Sequence, residues 1–423
     1  MAEIFVKLKS IRESTLAAIG IWVIYLAGYP FSMRYAFGYP FMIPLCAGLG
    51  LLIILLCRHN NIKFNKVIIS LFLILFCFWV MQMLFRVDIS YASNLFQIFI
   101  TATVYLSIIN FIGIKSMAQQ FANFMIVNCI CGSIVAIILI FYNFPPMFEY
   151  IAHDGRIARF FYLTFTNTAY DLGNMSIIRY AGLFDEPGTL SLFSMYALLL
   201  NKVILKNRRI EIFLIILPLL TFSLAHFITV ILYIFFFKIK KFRTIAFVVL
   251  FMGLAYFALD YSKDTEYKRL YQLTIGRMQK NESGMYKGDN RSNLNATALD
   301  FFKEKPLFGA GKTFFENKKY PIGGISFFGA MYGIMGYIFL YILFFYAIFM
   351  CLFKNSEFSI WLDGVKCCTL IAVNLFQRPD MASMFQLFAI TLFITCVSEV
   401  TSKNEESKRI IFKRRERNIT ASV

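Results

Sequence analysis

Arg179, Asp185 and Glu186 stand close together in "RYAGLFDEPGTLSLF" (Arg179 to Phe193), at the head of an apolar run. A guanidinium can hold an anion in a bidentate fork. A carboxylate beside it can act as a general base towards a sugar hydroxyl. Pro187 suits the first turn of a helix, and Asp185 or Glu186 suits the cap before it. The stretch therefore predicts a helix N-terminus, whose positive end together with Arg179 makes an anion site. A structural reading stands beside this one: acidic capping plus an Arg179–Glu186 ion pair that orders the chain. Two consecutive carboxylates are more than a cap requires.

A second polar stretch holds "DNRSNLNATALDFFKEKPLFGAG", Asp289 to Gly311. Ser292 to Lys305 have a helical pattern, with Ala296, Leu299 and Phe301 or Phe302 on one face, and "KPLFGAG" stops it. The expectation is a short amphipathic helix on a membrane surface. Arg291 precedes that helix. Arg277 lies upstream, with ten residues between it and Gly288. Arg159 is a further candidate anion contact. His226 is the one histidine inside an apolar run; buried ionisable groups in such runs are functional candidates, and a hydrogen-bonded turn explains it equally. Arg378-Pro379-Asp380 reads as a turn between two apolar runs. No Asp-x-Asp pair, Walker loop, GxSxG or HExxH occurs. Neither the three histidines nor the nine cysteines have metal-ligand spacing, and no disulfide framework is indicated.

The elements that must position these residues are membrane helices. Of 423 residues, 59% are hydrophobic and only 16% charged, so a soluble enzyme is excluded. Runs of spanning length recur, such as "VIISLFLILFCFWVMQMLF" (Val67 to Phe85). Spans are expected near 15–32, 38–57, 67–86, 95–114, 121–143, 183–201, 244–260, 326–353, 361–377 and 383–400. The run Ile210 to Phe237 has basic residues at both ends and is too short for two ordinary spans. It reads as a pair of short spans or a re-entrant hairpin turning near Thr221 to Phe227. The fold class is thus an all-α polytopic membrane protein of about twelve helices in a single domain. The net charge of +18 sits in clusters at Lys7–Arg12, Lys206–Arg209, Lys238–Arg243 and Lys408–Arg417. This is the positive-inside pattern, which argues against nucleic-acid binding and for both termini in the cytoplasm. The first apolar run reads as a retained anchor, and the C-terminal cluster is suited to anionic lipid headgroups. Two long stretches, 145–182 and 260–325, are then external. Their arginines oppose the positive-inside trend, and an anionic ligand would explain them.

Taken together, "RYAGLFDEPGTLS", then "TFSLAHFITVIL" across a basic loop, then "DNRSN" and "FFKEKPLFGAG" in a large external loop, resemble the superfamily of O-antigen polymerases (Wzy) and O-antigen ligases. The order and spacing match over roughly residues 90 to 400. The resemblance implies a glycosyltransferase of the GT-C type in the bacterial inner membrane, with its site facing the periplasm. It implies an undecaprenyl-diphosphate-linked oligosaccharide as donor and acceptor, with no metal or cofactor, and a chain-length regulator as a candidate partner. Arg179 matches the arginine before the family's G-x-F-x-E-P element, and Arg291 the one ahead of "PLFGAG". Arg277 to Gly288 fits the Arg-x10-Gly pattern of the polymerases, but no arginine of the first loop does. These arginines would grip the diphosphate, with Glu186 as acceptor base and Asp185 in reserve. The ligase branch has a His-Asn before the span that follows the second loop. Here "YPIGGISFFGAMYG" (Tyr320 to Gly333) has no histidine, which favours a polymerase. Ligase and flippase remain the alternatives.

Overall fold

The computed structural model describes residues 14–26, 66–86, 91–142, 144–151, 157–163, 166–170, 178–238, 260–265, 292–318, 324–353, 358–377 and 385–400, with a few isolated positions. The expected spans 38–57 and 244–260 lie almost wholly outside them. So do the basic clusters at both ends of the chain.

Among the described residues, five helices are long and apolar enough to cross a membrane. α1 is the shorter helix Ser14–Leu26. α2 spans Lys66–Arg86 and α3 Ala92–Ile112. α4 (Ile114–Phe141) follows α3 after one residue, Gly113, at φ 81° and ψ 161°, a conformation only glycine adopts readily. The expected spans end at 114 and resume at 121. Instead Lys115, Gln119, Gln120 and Asn123 form polar opening turns of a 28-residue helix, about 42 Å long and longer than a bilayer core. Leu73, Phe99, Val127 and Ile137 on these helices are about half exposed (57, 63, 49 and 47%). Lipid would cover such a surface.

The stretch 145–182 corrects the all-α expectation. It folds as a four-stranded antiparallel meander: β1 (Phe148–Ile151), β2 (Ile157–Phe161), β3 (Thr166–Tyr170) and β4 (Ile178–Gly182). Phenylalanine, threonine, tyrosine and isoleucine dominate these strands and suit a pleated surface. Phe148 stacks on its register partner Phe160, ring centroids 4.4 Å apart. A shift in register between Asn167 and Thr168 bends β3 against β4.

β4 leads through a tight turn into α5 (Pro187–Leu200), in which every residue from Thr189 to Leu200 is buried. This helix is surrounded by other helices rather than by lipid. It continues as a π-turn, Asn201–Leu205, and ends at Lys206 in a left-handed conformation. Asn201 and Asn207 close that corner with reciprocal 3.0 Å hydrogen bonds. α6 (Arg208–Ile216), a 3-10 segment (Leu217–Thr221) and α7 (Leu224–Phe237) follow. α6 and α7 are antiparallel arms: Glu211 accepts from Tyr233 Oη at 2.5 Å and from Lys238 Nζ at 2.6 Å. The chain turns at Leu217–Phe222, with Phe222 left-handed at φ 48°. The hairpin expected from the basic residues at both ends of this run is therefore present, and its turn begins a few residues before Thr221.

The remaining helices are α8 (Ser292–Glu304), α9 (Lys312–Asn317) and α10 (Ile325–Gly336), then α11 (Leu343–Phe353), α12 (Phe358–Gln377) and α13 (Phe385–Val400). α8 forms where the sequence put it, but its buried face differs. Ala298 is fully buried and Leu299 is 48% exposed, because the helix packs along α10. A core of aromatic rings ties the bundle together. Phe385 of α13 meets Tyr25 of α1 (5.4 Å), Phe124 of α4 (5.9 Å) and Phe193 of α5 (4.8 Å).

Candidate functional site

The turn between β4 and α5 is fixed from three sides. Tyr180 is fully buried against Gly132 of α4, where no Cβ could fit beside its ring. Its hydroxyl donates to Leu217 O at 2.8 Å, and burial pushes the pKa of that hydroxyl well up. Gly182 takes φ +61° beside Asn128, whose Oδ1 accepts from Leu183 N at 3.3 Å. Tyr25 of α1 donates to Leu183 O at 2.5 Å. The next residues, Phe184 to Glu186, are thereby delivered to the start of α5 in one position.

Glu186 is the N-cap residue by backbone, extended at φ −141° and ψ 152°, with Pro187 as the first helical residue. Its carbonyl accepts from Thr189 N (3.0 Å) and Leu190 N (3.3 Å). Its carboxylate does not cap the helix. Asp185 Oδ1 instead receives the Thr189 hydroxyl at 2.7 Å. Both carboxylates are half-buried. The capping expectation is met by position, not by the Glu186 side chain.

Arg179 does something the sequence did not suggest. Its Nε donates to Thr221 O at 3.0 Å and its Nη2 to Phe222 O at 3.2 Å. Those carbonyls belong to the break between the hairpin arms, where no helix turn satisfies them. Unsatisfied carbonyls at membrane depth cost several kcal/mol, so the guanidinium closes the hairpin tip. Hydroxyls complete the joint. Thr221 Oγ1 lies 3.1 Å from Ser191 Oγ, and Ser191 back-bonds to Pro187 O at 2.9 Å. The hairpin tip therefore touches the first turns of α5, next to Asp185 and Glu186. A strand-borne arginine, two consecutive carboxylates and a broken helix meet at one end of the most buried helix. The basic corner Lys206–Arg209 lies at its other end.

The other sequence candidates separate from this group. Arg159 is the register partner of Glu149 across β1 and β2, and its Nε binds Oε1 at 2.6 Å. That cross-strand ion pair gives Arg159 a structural partner within the sheet. His226 is buried, with Nε2 3.2 Å from Ile215 O, joining the two hairpin arms; its Nδ1 has no partner. This is the hydrogen-bonded turn that the sequence left as an alternative. Arg277, Arg291 and Arg378-Pro379-Asp380 lie outside the described residues.

Arg86, the last residue of α2, was missed. Its Nε donates to Gln82 Oε1 at 2.8 Å, and its Nη2 reaches Phe308 O, Gly309 O (2.8 Å) and Met331 O (3.3 Å). It latches "PLFGAG" onto α2 and α10. One signal was available: in the topology expected from the charge pattern, Arg86 falls at the external end of its span, against the positive-inside trend.

The sequence matches none of the protein-family models and none of the curated proteins with which it was compared.

Proposed function

We propose that this protein is a membrane glycosyltransferase that joins undecaprenyl-diphosphate-linked oligosaccharide repeat units into a surface polysaccharide such as O-antigen. The observation that carries the proposal is the meeting of Arg179, Asp185 and Glu186 at the sheet-covered end of the buried helix α5, opposite the basic Lys206–Arg209 corner. On the positive-inside rule that end faces the periplasm of a bacterial inner membrane. A GT-C-like bundle of about twelve spans with both termini cytoplasmic fits this orientation.

The reaction breaks the bond between the anomeric carbon of the donor sugar and its diphosphate oxygen. The same carbon forms a bond to an acceptor hydroxyl oxygen. Negative charge develops on the departing lipid diphosphate, and the hydroxyl proton must leave. Glu186 is the base: it stands at the N-cap position, and its side chain is not used as the helix cap. Asp185, held by Thr189, is the second choice. Arg179, already fixed in its plane by two carbonyls, is preorganised for the diphosphate, and fixed charges lose nothing to reorganisation. Arg291 and Arg277 complete the anion contacts in this reading, which needs no metal. A separate chain-length regulator would set product length.

The test is a deletion strain complemented with Glu186→Gln, with surface polysaccharide resolved by length on a gel. The expected product is a single repeat at normal protein level. A normal ladder would sink the proposal. Long polymer retained on the lipid carrier would identify a ligase instead.

A further inference from the structure

Between β2 and β3 the chain turns through Tyr162, Leu163, Thr164 and Phe165. We infer that this turn is seated in the interface of the lipid bilayer, so that the sheet rests on the membrane instead of standing free in solution. None of the residues assigned to glycosyl transfer takes part.

Composition is the first sign. Turns in water draw on Gly, Pro, Asn, Asp and Ser, and this one contains none of them. Tyr162 is 75% exposed and Leu163 41%. Tyrosine is enriched where membrane meets water, its ring against acyl chains and its hydroxyl among headgroups.

Placement is the second sign. The turn lies next to the end of α4, because Phe161 meets Phe144 with ring centroids 4.8 Å apart and Met147 N donates to Phe160 O at 2.7 Å. Phe141, the last residue of α4, and Tyr142 after it are 76 and 74% exposed. They end the exposed stripe Val127, Ile130, Ile134 and Ile137. Steps of three and four residues put that stripe on one helix face, the face that lipid covers. Exposed apolar surface thus continues from the lipid-facing side of α4 onto the sheet.

Depth follows from the helix itself. The polar opening turns of α4 end at Asn123. From Phe124 to Phe141 the helix rises about 27 Å, close to the roughly 30 Å of a hydrocarbon core. Tyr142 therefore falls where hydrocarbon gives way to headgroups, and the neighbouring turn falls near the same level. The charged residues of β1 and β2, Glu149 and Arg159, pair with each other at 2.6 Å, so these strands bring no lone charge to the interface. A sheet standing in water accounts for neither the missing turn formers nor the apolar surface running from α4 to the turn.

The test is photo-crosslinking of the full chain reconstituted in phosphatidylcholine nanodiscs. Three separate variants are used: Tyr162→benzoylphenylalanine, Leu163→benzoylphenylalanine and, as the reference on the α4 stripe, Ile134→benzoylphenylalanine. After irradiation and digestion, adducts are located by mass spectrometry. Expected are phosphatidylcholine adducts at 162 and 163 in yield comparable to that at 134. An adduct at 134 with none at 162 or 163 would overturn the inference. So would a crosslink from 162 to another copy of the chain, which would make the patch a protein interface.

Discussion

Arg179→Ala removes the side-chain bridge from β4 to two carbonyls at the hairpin tip, at 3.0 and 3.2 Å. A hydrogen bond from a charged donor contributes about 1.5–3 kcal/mol. The two share one guanidinium and adjacent carbonyls, so they do not add fully; a loss of about 2–4 kcal/mol is expected. Arg179→Lys keeps the charge but cannot span both carbonyls, and should recover about half of that stability. The assay is thermal unfolding of the purified protein in detergent, run beside surface-polysaccharide gels from the complemented deletion strain. The alanine variant should melt earlier and leave single repeats. The lysine variant should melt in between and make short chains, because a point charge would still attract the diphosphate of the proposed donor. If Arg179→Ala melts with the wild type and gives a normal ladder, then neither the closure of the hairpin nor anion binding depends on this residue. Early melting with a normal ladder would leave Arg179 a purely structural clamp.

Two further outcomes follow from geometry. Gly309→Ala places a Cβ 2.6 Å from Ala330 O at a φ of +68°; strain and overlap together should cost about 3 kcal/mol or more, visible as lost folded protein in size-exclusion profiles, and a well-folded variant would contradict the packing of "PLFGAG" on α10. Arg159→Ala breaks an ion pair whose side chains are 27% and 46% exposed; the cost should stay within about 1 kcal/mol and the polysaccharide ladder should be unchanged, whereas loss of polymer would return Arg159 to the anion site.

Hydropathy and charge placement made the membrane helices and the 210–237 hairpin legible, because both follow from one-dimensional patterns. The β-meander was not. Its strands are short, and their alternation is masked by the far stronger signal of the spans beside them. The α3–α4 corner was misjudged because polar residues such as Lys115 and Gln119 look like a loop, although a helix longer than the bilayer core can carry them beyond it. The site was half legible. "FDEPG" announced a helix start correctly, since proline and acidic residues have strong local preferences there. What Arg179 touches depends on contacts forty residues away, which no local pattern contains.

That long-range contact changes how the charges are weighed. Read from the chain, Arg179 needs an outside anion to justify a positive charge in apolar surroundings. In the fold, two carbonyl dipoles supply part of that justification, so its presence alone no longer argues for a ligand. The case for an anion shifts to positions where no protein acceptor is at hand. Within the proposed active site, the argument now rests more on the carboxylates than on the arginine. A helix start needs one capping group, and here a backbone carbonyl and Thr189 satisfy the local geometry. Two half-buried carboxylates still remain at that end. Two adjacent carboxylates are more than a cap requires, and in the proposed reaction one of them would take the acceptor proton.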